Sequence, residues 1–415
     1  MRIGIPFAFE VAAVLALAWS GAAAVSATAG EGPAAPAAAA PKSSEHYAAM
    51  PERSWLHACP GTYKGRDAGK EPPFGILGFS GMALDGPGRR LLIFGGGHAD
   101  YWGNEVWSWD IDRREWRRAY DPDPFHNLTR QEALKGVDNK KQPGVWLPSG
   151  RPITRHTYGS ICFLEHKGLM LAGGGSTYSG PNRHKVDFWC DVGAPGGVWL
   201  NGPADVWLYD PEKAAWTWKG SGKAEGAAAG FPKGVGTSTY APDIKSAIVV
   251  ADGTWLYDAG KDAWTGMKSK CPGGGHSTMT YDTRRKLAYH VGRSGKELKI
   301  HSYDPAGDVW AEVKAGGETP SNRDGGWGIT YDSANDVVLA FGRDGLAVFD
   351  PKTSRWEKNP GSPEKAPPAS EWTFNRFQYD AVNNVAFLVT GTRDWRVDVW
   401  AYRYGKPAAD GGPAK

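Results

Sequence analysis

The sequence predicts an all-β protein whose repeating four-stranded units close into a six-bladed propeller, and three observations carry the prediction. First, an aromatic residue, an Asp, five further residues and a Trp recur together: Trp109-Asp110 to Trp116, Tyr209-Asp210 to Trp216, Tyr257-Asp258 to Trp264, Tyr303-Asp304 to Trp310, and Phe349-Asp350 to Trp356. The last four Trp positions stand 48, 46 and 46 residues apart, and a propeller blade repeats at roughly 40–50 residues. Second, pairs of short apolar runs split by a turn precede these motifs. Third, the last unit lacks its Trp strand, and the N-terminal region carries a matching one.

The early strands are read from alternating or β-branched runs bounded by turn residues. Residues 81–85, a turn at Gly86-Pro87-Gly88, and residues 91–95 set the order. The order returns as 278–282 with 287–292, 328–332 with 337–342, and 377–380 with 385–391. Each unit is an innermost strand, a buried second strand, a third carrying the aromatic and a fourth carrying the Trp. One such sheet cannot cover both of its faces, whereas stacking around an axis does.

The final unit offers Val399-Trp400-Ala401-Tyr402-Arg403 as its third strand and then runs into Lys406-Pro407-Ala408-Ala409. Pro51-Glu52-Arg53-Ser54-Trp55-Leu56 matches Asp112-Arg113-Arg114-Glu115-Trp116-Arg117 and can supply the fourth strand, closing the ring at six blades. The 100 residues from Trp116 to Trp216 hold one blade and about one blade's worth of insertion. Residues 121–151 are polar, with a helix-like turn over 129–134; a seven-bladed ring is the alternative and would need that stretch to form strands.

The glycine triplets Gly95-Gly96-Gly97 and Gly173-Gly174-Gly175 after second strands, the later aromatic and the spaced Trp resemble kelch repeats. The galactose oxidase family carries a propeller of the same kind. The resemblance spans about residues 50 to 405 and implies a propeller. It is degenerate in four blades, where a single Gly253, Gly292, Gly342 or Gly391 stands instead. Function does not follow from it, because such folds host unrelated activities.

Composition bounds the rest. The 415 residues carry 48 Lys and Arg against 45 Asp and Glu, a net charge of +3, which gives no global electrostatic case for nucleic acid. Hydrophobic residues at 41% and 20 Trp describe a globular chain. Residues 1–29 read as an export signal: Arg2 opens an apolar stretch over 11–19, and small residues follow to a cleavage position near Ala27 or Ala29. A short uncleaved anchor is the alternative. Residues 30–48 form an Ala/Pro-rich linker, 49–405 the propeller and 406–415 a disordered tail. Beyond residue 42 no run is long enough to span a bilayer, so the mature protein is expected to be soluble, monomeric and secreted or periplasmic. Cys162 lies in an apolar run and reads as core, while Cys59, Cys190 and Cys271 sit in loops where one disulfide can form. No metal spacing or cofactor motif is present.

In such a ring, the loops leading into first strands and those joining second to third strands share one face, hereafter the upper face. The former carry Arg155-His156, His276, Arg323-Asp324 with Trp327, and Asn375-Arg376. The latter carry His98-Ala99-Asp100-Tyr101, Arg293, Arg343-Asp344 and Arg393-Asp394-Trp395. Together these arginines and histidines predict a local positive funnel that concentrates anionic ligands. Arginine binds carboxylates through its planar fork, and Tyr101, Trp327 and Trp395 can stack on sugar faces. The plainer alternative makes Arg343-Asp344 and Arg393-Asp394 paired turn residues, and has His156 and His276 bonded to backbone across the channel.

Two functions fit this face, and a third fits it poorly. The first is recognition of an acidic polysaccharide or another anionic ligand, with His276, Arg293, Arg323, Trp327, Arg343, Arg376, Arg393 and Trp395 as binding residues. The second is a polysaccharide lyase that eliminates across a uronate, as some propeller-fold lyases do with His, Tyr and Arg. Arg155 or Arg376 would neutralise the carboxylate, His156 or His98 would take the proton, and Tyr101 would protonate the leaving oxygen. The third is a copper radical oxidase similar to galactose oxidase. Arg155 precedes His156 and Gly275 precedes His276 where that family has tyrosine, and Tyr289-His290 lies in a second strand.

Overall fold

The turn inside the repeat explains why its residues recur. The Asp side chain caps the turn: Asp110 Oδ1 accepts N–H bonds from Asp112 (3.1 Å) and Arg113 (2.8 Å), and Asp258 Oδ1 from Gly260 (2.8 Å) and Lys261 (3.1 Å). An Asx turn of this kind mimics a backbone turn. Two residues before each Trp the chain becomes left-handed, at Arg53, Arg114, Ala214, Asp262, Asp308 and Ser354, with φ between 51° and 60°. This kink sets the register of the hairpin and lands the Trp opposite the aromatic. The pairs are Trp109 with Trp116, Tyr209 with Trp216, Tyr257 with Trp264, Tyr303 with Trp310, Phe349 with Trp356, and Tyr402 with Trp55. Each cross-strand aromatic pair adds about 0.5–1.5 kcal/mol beyond its buried area.

A computed structural model describes residues 44–405, apart from 65–68, 97–100, 102, 124–148, 153, 175–204, 222–231, 233–235, 274, 294, 323–324, 362–365, 371 and 393. The residues read as an export signal, those read as a tail, Cys190, the helix-like turn at 129–134 and most of 121–151 lie outside these residues. The described strands form six sheets, antiparallel except for one two-residue strand. Blade 1 is β2 (Met82–Asp85), β3 (Arg90–Ile93), β4 (Trp107–Asp110) and β5 (Glu115–Arg118), and blade 2 is β6 (Ile161–Leu164), β7 (Leu169–Gly173), β8 (Asp205–Asp210) and β9 (Ala215–Ser221). Blade 3 is β10 (Thr237–Ala241), β11 (Ser246–Val250), β12 (Thr254–Asp258) and β13 (Ala263–Gly266), and blade 4 is β14 (Thr278–Asp282), β15 (Leu287–Val291), β16 (Ile300–Asp304) and β17 (Val309–Val313). Blade 5 is β19 (Gly328–Asp332), β20 (Val337–Gly342), β21 (Gly345–Asp350) and β22 (Arg355–Lys358), extended by β18 (Gly316–Gly317) lying parallel to β22. Blade 6 is β23 (Phe377–Asp380), β24 (Val385–Gly391) and β25 (Val397–Arg403), completed by β1 (Ser54–Cys59).

The predicted strand exchange is therefore present, and the ring has six blades. The first strands touch in a closed circuit, β2 to β6, β10, β14, β19, β23 and back to β2. Threonines join neighbours: Thr280 Oγ1 accepts the Tyr331 N–H and Thr330 Oγ1 the Tyr379 N–H, each at 2.9 Å. Second strands are apolar on both sides because a blade packs against each face; β20 is buried throughout, while β13 is largely exposed. The chain before β1 seals the junction of blades 6 and 1. Tyr47 is fully buried, donates to Ile111 O (3.1 Å) and accepts Arg403 Nη2 at its carbonyl (2.7 Å). Cys162 is core, and burial pushes its thiol up to about 12. Cys59 and Cys271 are free thiols, so the expected disulfide is not formed between them.

Candidate functional site

The loops leading into the first strands meet over the axis. Tyr158 N–H donates to Phe79 O (2.8 Å), Ser238 to Gly159 O (2.8 Å), Gly326 to His276 O (3.1 Å) and Phe374 to Gly326 O (2.9 Å). This collar of backbone bonds turns the side chains inward. Phe79, Tyr158, His276, Trp372 and Phe374 all take left-handed backbone angles, with φ of 55°, 46°, 54°, 63° and 47°. Bulky residues rarely adopt that region, and such strain, about 1–3 kcal/mol per residue, concentrates at functional sites. Gly326, at φ 73°, permits the closest approach: a Cβ there would lie 2.9 Å from Trp372 Cα.

The rings form one cluster. Phe79 stacks on His156 (centroids 4.8 Å) and contacts Trp372 (5.3 Å); Tyr158 contacts His276 (5.6 Å) and Phe374 (5.2 Å); His276 meets Trp372 edge-on (4.8 Å). Blades 1 and 4 stand opposite each other across a six-bladed ring. Phe79 and His276 belong to those two blades, and their centroids are 6.3 Å apart. The axis is therefore filled at this level, and the expected open funnel is a shallow aromatic floor. Phe79, Tyr158, His276 and Trp372 are each half-buried, so the floor presents both apolar ring surface and polar edges. Beneath it, His156 is fully buried with its Nδ1 2.9 Å from Tyr158 Oη.

The structure brings some of the expected residues here and draws others away. His156 and His276 share Phe79 and Tyr158 as neighbours. Arg293 is exposed beside them: a Cβ on Gly325 would lie 3.2 Å from both Arg293 Cβ and His276 Cβ. Arg343 and Trp395 are also exposed on this face, Trp395 with its ring 5.1 Å from Phe74. Arg155 is buried. Arg376 is buried too, and donates to Ser80 O (3.0 Å), Val389 O (2.9 Å) and Trp372 O (2.6 Å). Burial lowers its pKa to about 10, still charged at neutral pH, so it is a staple between blades 6 and 1 and not a surface cation. Trp327 lies against Gly342, whose missing side chain makes room for the indole, and donates to Ser321 O (3.1 Å); it is core and offers no stacking surface. Asp394 pairs within its turn, with Thr392 and Arg396, while Asp344 is held from outside its turn by Ser321 in the loop ahead of β19 and Lys358 on β22. His98, Arg323 and Arg393 lie outside the described residues.

Tyr101 is buried, and its hydroxyl donates to Glu105, which also accepts Trp107 Nε1 at 2.8 Å. The face is therefore not offered this tyrosine as an acid. Burial holds the Glu105 carboxyl above the ordinary carboxylate range, against those two hydrogen bonds. A carboxyl whose folded pKa is raised stabilises the fold at acid pH and loses that contribution as pH climbs from about 4.3, its unfolded value, through the folded value. Glu105→Gln is thus expected to gain stability relative to the wild type as pH rises from about 4.3. Glu105→Ala, which removes the acceptor shared by Tyr101 and Trp107, is expected to lose about 1–3 kcal/mol at any pH. Denaturant midpoints across that range check both, and parallel pH profiles for wild type and Glu105→Gln would contradict the assignment.

No family model and no curated protein matches the chain. Among solved structures it is similar to an oligogalacturonate lyase from Vibrio parahaemolyticus, at 10% identity and a TM-score of 0.40, covering 77% of this chain and 76% of that one. It is also similar to TolB from Acinetobacter baumannii, at 12% identity and a TM-score of 0.34, covering 66% of this chain and 56% of that one.

Proposed function

We propose that this is an exported recognition propeller that binds acidic polysaccharide on its upper face. The observation that carries the reading is the convergence of Phe79, Tyr158, His276 and Trp372 from separate blades into one half-buried floor, with Arg293 at its edge. Ring faces pack against sugar C–H groups, His276 supplies hydrogen bonds, and the guanidinium supplies a bidentate partner for a uronate carboxylate. Export through residues 1–29 would bring the face to extracellular glycan, and the kelch-like repeat would serve as the rigid scaffold.

Binding to alginate and polygalacturonate, followed by calorimetry, tests the reading. Affinity is expected to fall between about 0.1 and 0.5 M salt as the charges are screened. Trp372→Ala and His276→Ala are each expected to weaken binding about tenfold or more, since buried aromatic anchors dominate such interfaces. Equal retention of the variants, or no retention of any acidic glycan, would refute it.

The His156–Tyr158 hydrogen bond favours a second reading, a lyase in which Tyr158, which reaches the floor, exchanges protons with the substrate while His156, fully buried beneath it, orients the tyrosine hydroxyl. The base would take the proton beside the uronate carboxylate, the electron pair would form the double bond, and the glycosidic oxygen would leave with a proton from the tyrosine. Tyr158 replaces Tyr101 in that role because it reaches the floor. Unsaturated-sugar absorbance on mixing, lost in Tyr158→Phe while binding persists, would support it. A silent absorbance trace across the glycan panel would leave the binder alone.

A further inference from the structure

The segment ahead of β2 ties the aromatic floor to a second aromatic on the same face. A short 3-10 turn, Phe74–Leu77, buries Ile76 and Leu77 in the core shared by blades 6 and 1, and the chain passes through Gly78 to Phe79 in the floor. At the other end of the turn, Phe74 lies against blade 6. Its ring fills the space over Gly391, where any Cβ would run into it, and meets Trp395 edge-on with centroids 5.1 Å apart. Phe74 and Phe79 are five residues apart. A 3-10 rise of about 2 Å per residue and a fully extended chain of about 3.6 Å bracket their Cα separation at about 10–18 Å.

Trp395 is 52% exposed, the one exposed tryptophan among the described residues. A lone exposed apolar side chain is ordinary, but this one also takes a left-handed backbone angle, φ 66°, which bulky residues rarely adopt and which the floor residues share. Its turn is locked in that shape. Trp395 N–H donates to Thr392 O (3.2 Å), and Thr392 N–H to Arg396 O (2.9 Å). Asp394 Oδ1 accepts Thr392 Oγ1–H (2.6 Å) and Arg396 Nε–H (3.1 Å), its other oxygen lies 3.1 Å from Lys64 Nζ, and Arg396 Nη1 donates to Gly61 O (3.0 Å). A glycine would sit at this angle without strain. Holding a tryptophan there instead, ring outward, is the kind of strain that persists at ligand clamps.

We infer that Trp395 is a second stacking subsite for the acidic polysaccharide, so that the bound glycan runs from the floor outward over the junction of blades 6 and 1 and is recognised as an oligomer. The separation of the two aromatics exceeds one sugar ring and suits a short chain of them. The inference rests on the reading of the upper face as an acidic-glycan site.

Titration of the full chain with the dimers and hexamers of galacturonate and of mannuronate, followed by calorimetry, tests it. For whichever polymer binds, the hexamer is expected to bind about tenfold or more tighter than the dimer, the scale of one tryptophan anchor. Trp395→Ala should erase that gain and leave dimer affinity at the wild-type value. Trp395→Gly, which relaxes the left-handed position, should do the same with its urea midpoint at or above that of the wild type, which separates the effect from a loss of folding. Trp372→Ala should weaken dimer and hexamer alike. Equal affinity for dimer and hexamer, or a hexamer gain that survives Trp395→Ala, would overturn the inference and leave the floor as the site when Trp372→Ala still weakens both. Failure of every oligomer to bind would overturn the reading of the upper face and this inference with it.

Discussion

Removing β1 is expected to prevent cooperative folding, because the last blade would then expose the edge of β25 and the ring would lose its closure. The milder form, Trp55→Ala, is expected to cost about 3–5 kcal/mol, the range for truncating a large buried aromatic. Trp55 sits between two blades, with ring centroids 5.6 Å from Phe341 in blade 5, 6.3 Å from Phe377 and 4.9 Å from Tyr402 in blade 6. It also occupies the repeat position, opposite Tyr402 across the exchanged pair. Its loss therefore empties a blade interface and a cross-strand pair together. Urea unfolding monitored by far-ultraviolet circular dichroism checks this. A loss under about 1 kcal/mol would mean that β1 is an ornament on a ring held shut by other contacts.

Arg376→Met is expected to destabilise by about 3 kcal/mol or more. The guanidinium bridges three carbonyls from two blades, and Met leaves Ser80 O, Val389 O and Trp372 O without it. Each buried acceptor so orphaned costs about 1–3 kcal/mol before relaxation. Arg376→Lys should recover little, since an ammonium presents its donors from one point and cannot span the same three acceptors. Because Trp372 O is one of them, both variants should also loosen the aromatic floor and weaken glycan binding. Full stability in Arg376→Lys would contradict the stapling role.

The fold was legible because its determinants are local. An Asp that caps a turn, a kink two residues before a Trp, and a cross-strand aromatic pair all fall within eight residues, so they repeat visibly along the chain. Strand exchange was legible for the same reason, as a seventh-to-eighth residue pattern displaced to the other terminus. The site was legible only in part. His156, His276 and Arg293 follow from connectivity, which assigns loops to a face. Phe79, Trp372 and Phe374 did not, because they come from loops nearly 300 residues apart and meet only through a left-handed backbone that their side chains do not announce. Their one sequence signal is position: Phe79, Tyr158, His276 and Phe374 each stand just ahead of a first strand, before a Ser, Gly or Asn. Arg155, Arg376, Tyr101 and Trp327 were assigned to the same face by the same connectivity, yet each is buried, since a guanidinium can be satisfied by carbonyls and an indole by one acceptor.

The histidines also separate the two ends of the molecule. His276 lies in the upper floor, and His166 meets Tyr240 at the opposite end, in the segment joining β6 to β7. Imidazole-detected NMR during titration with an acidic uronate oligosaccharide reads both positions at once. A saturable, salt-sensitive shift of the His276 signal with His166 unmoved is expected. Movement of His166 alone, or of neither ring while binding is independently measured, would contradict it.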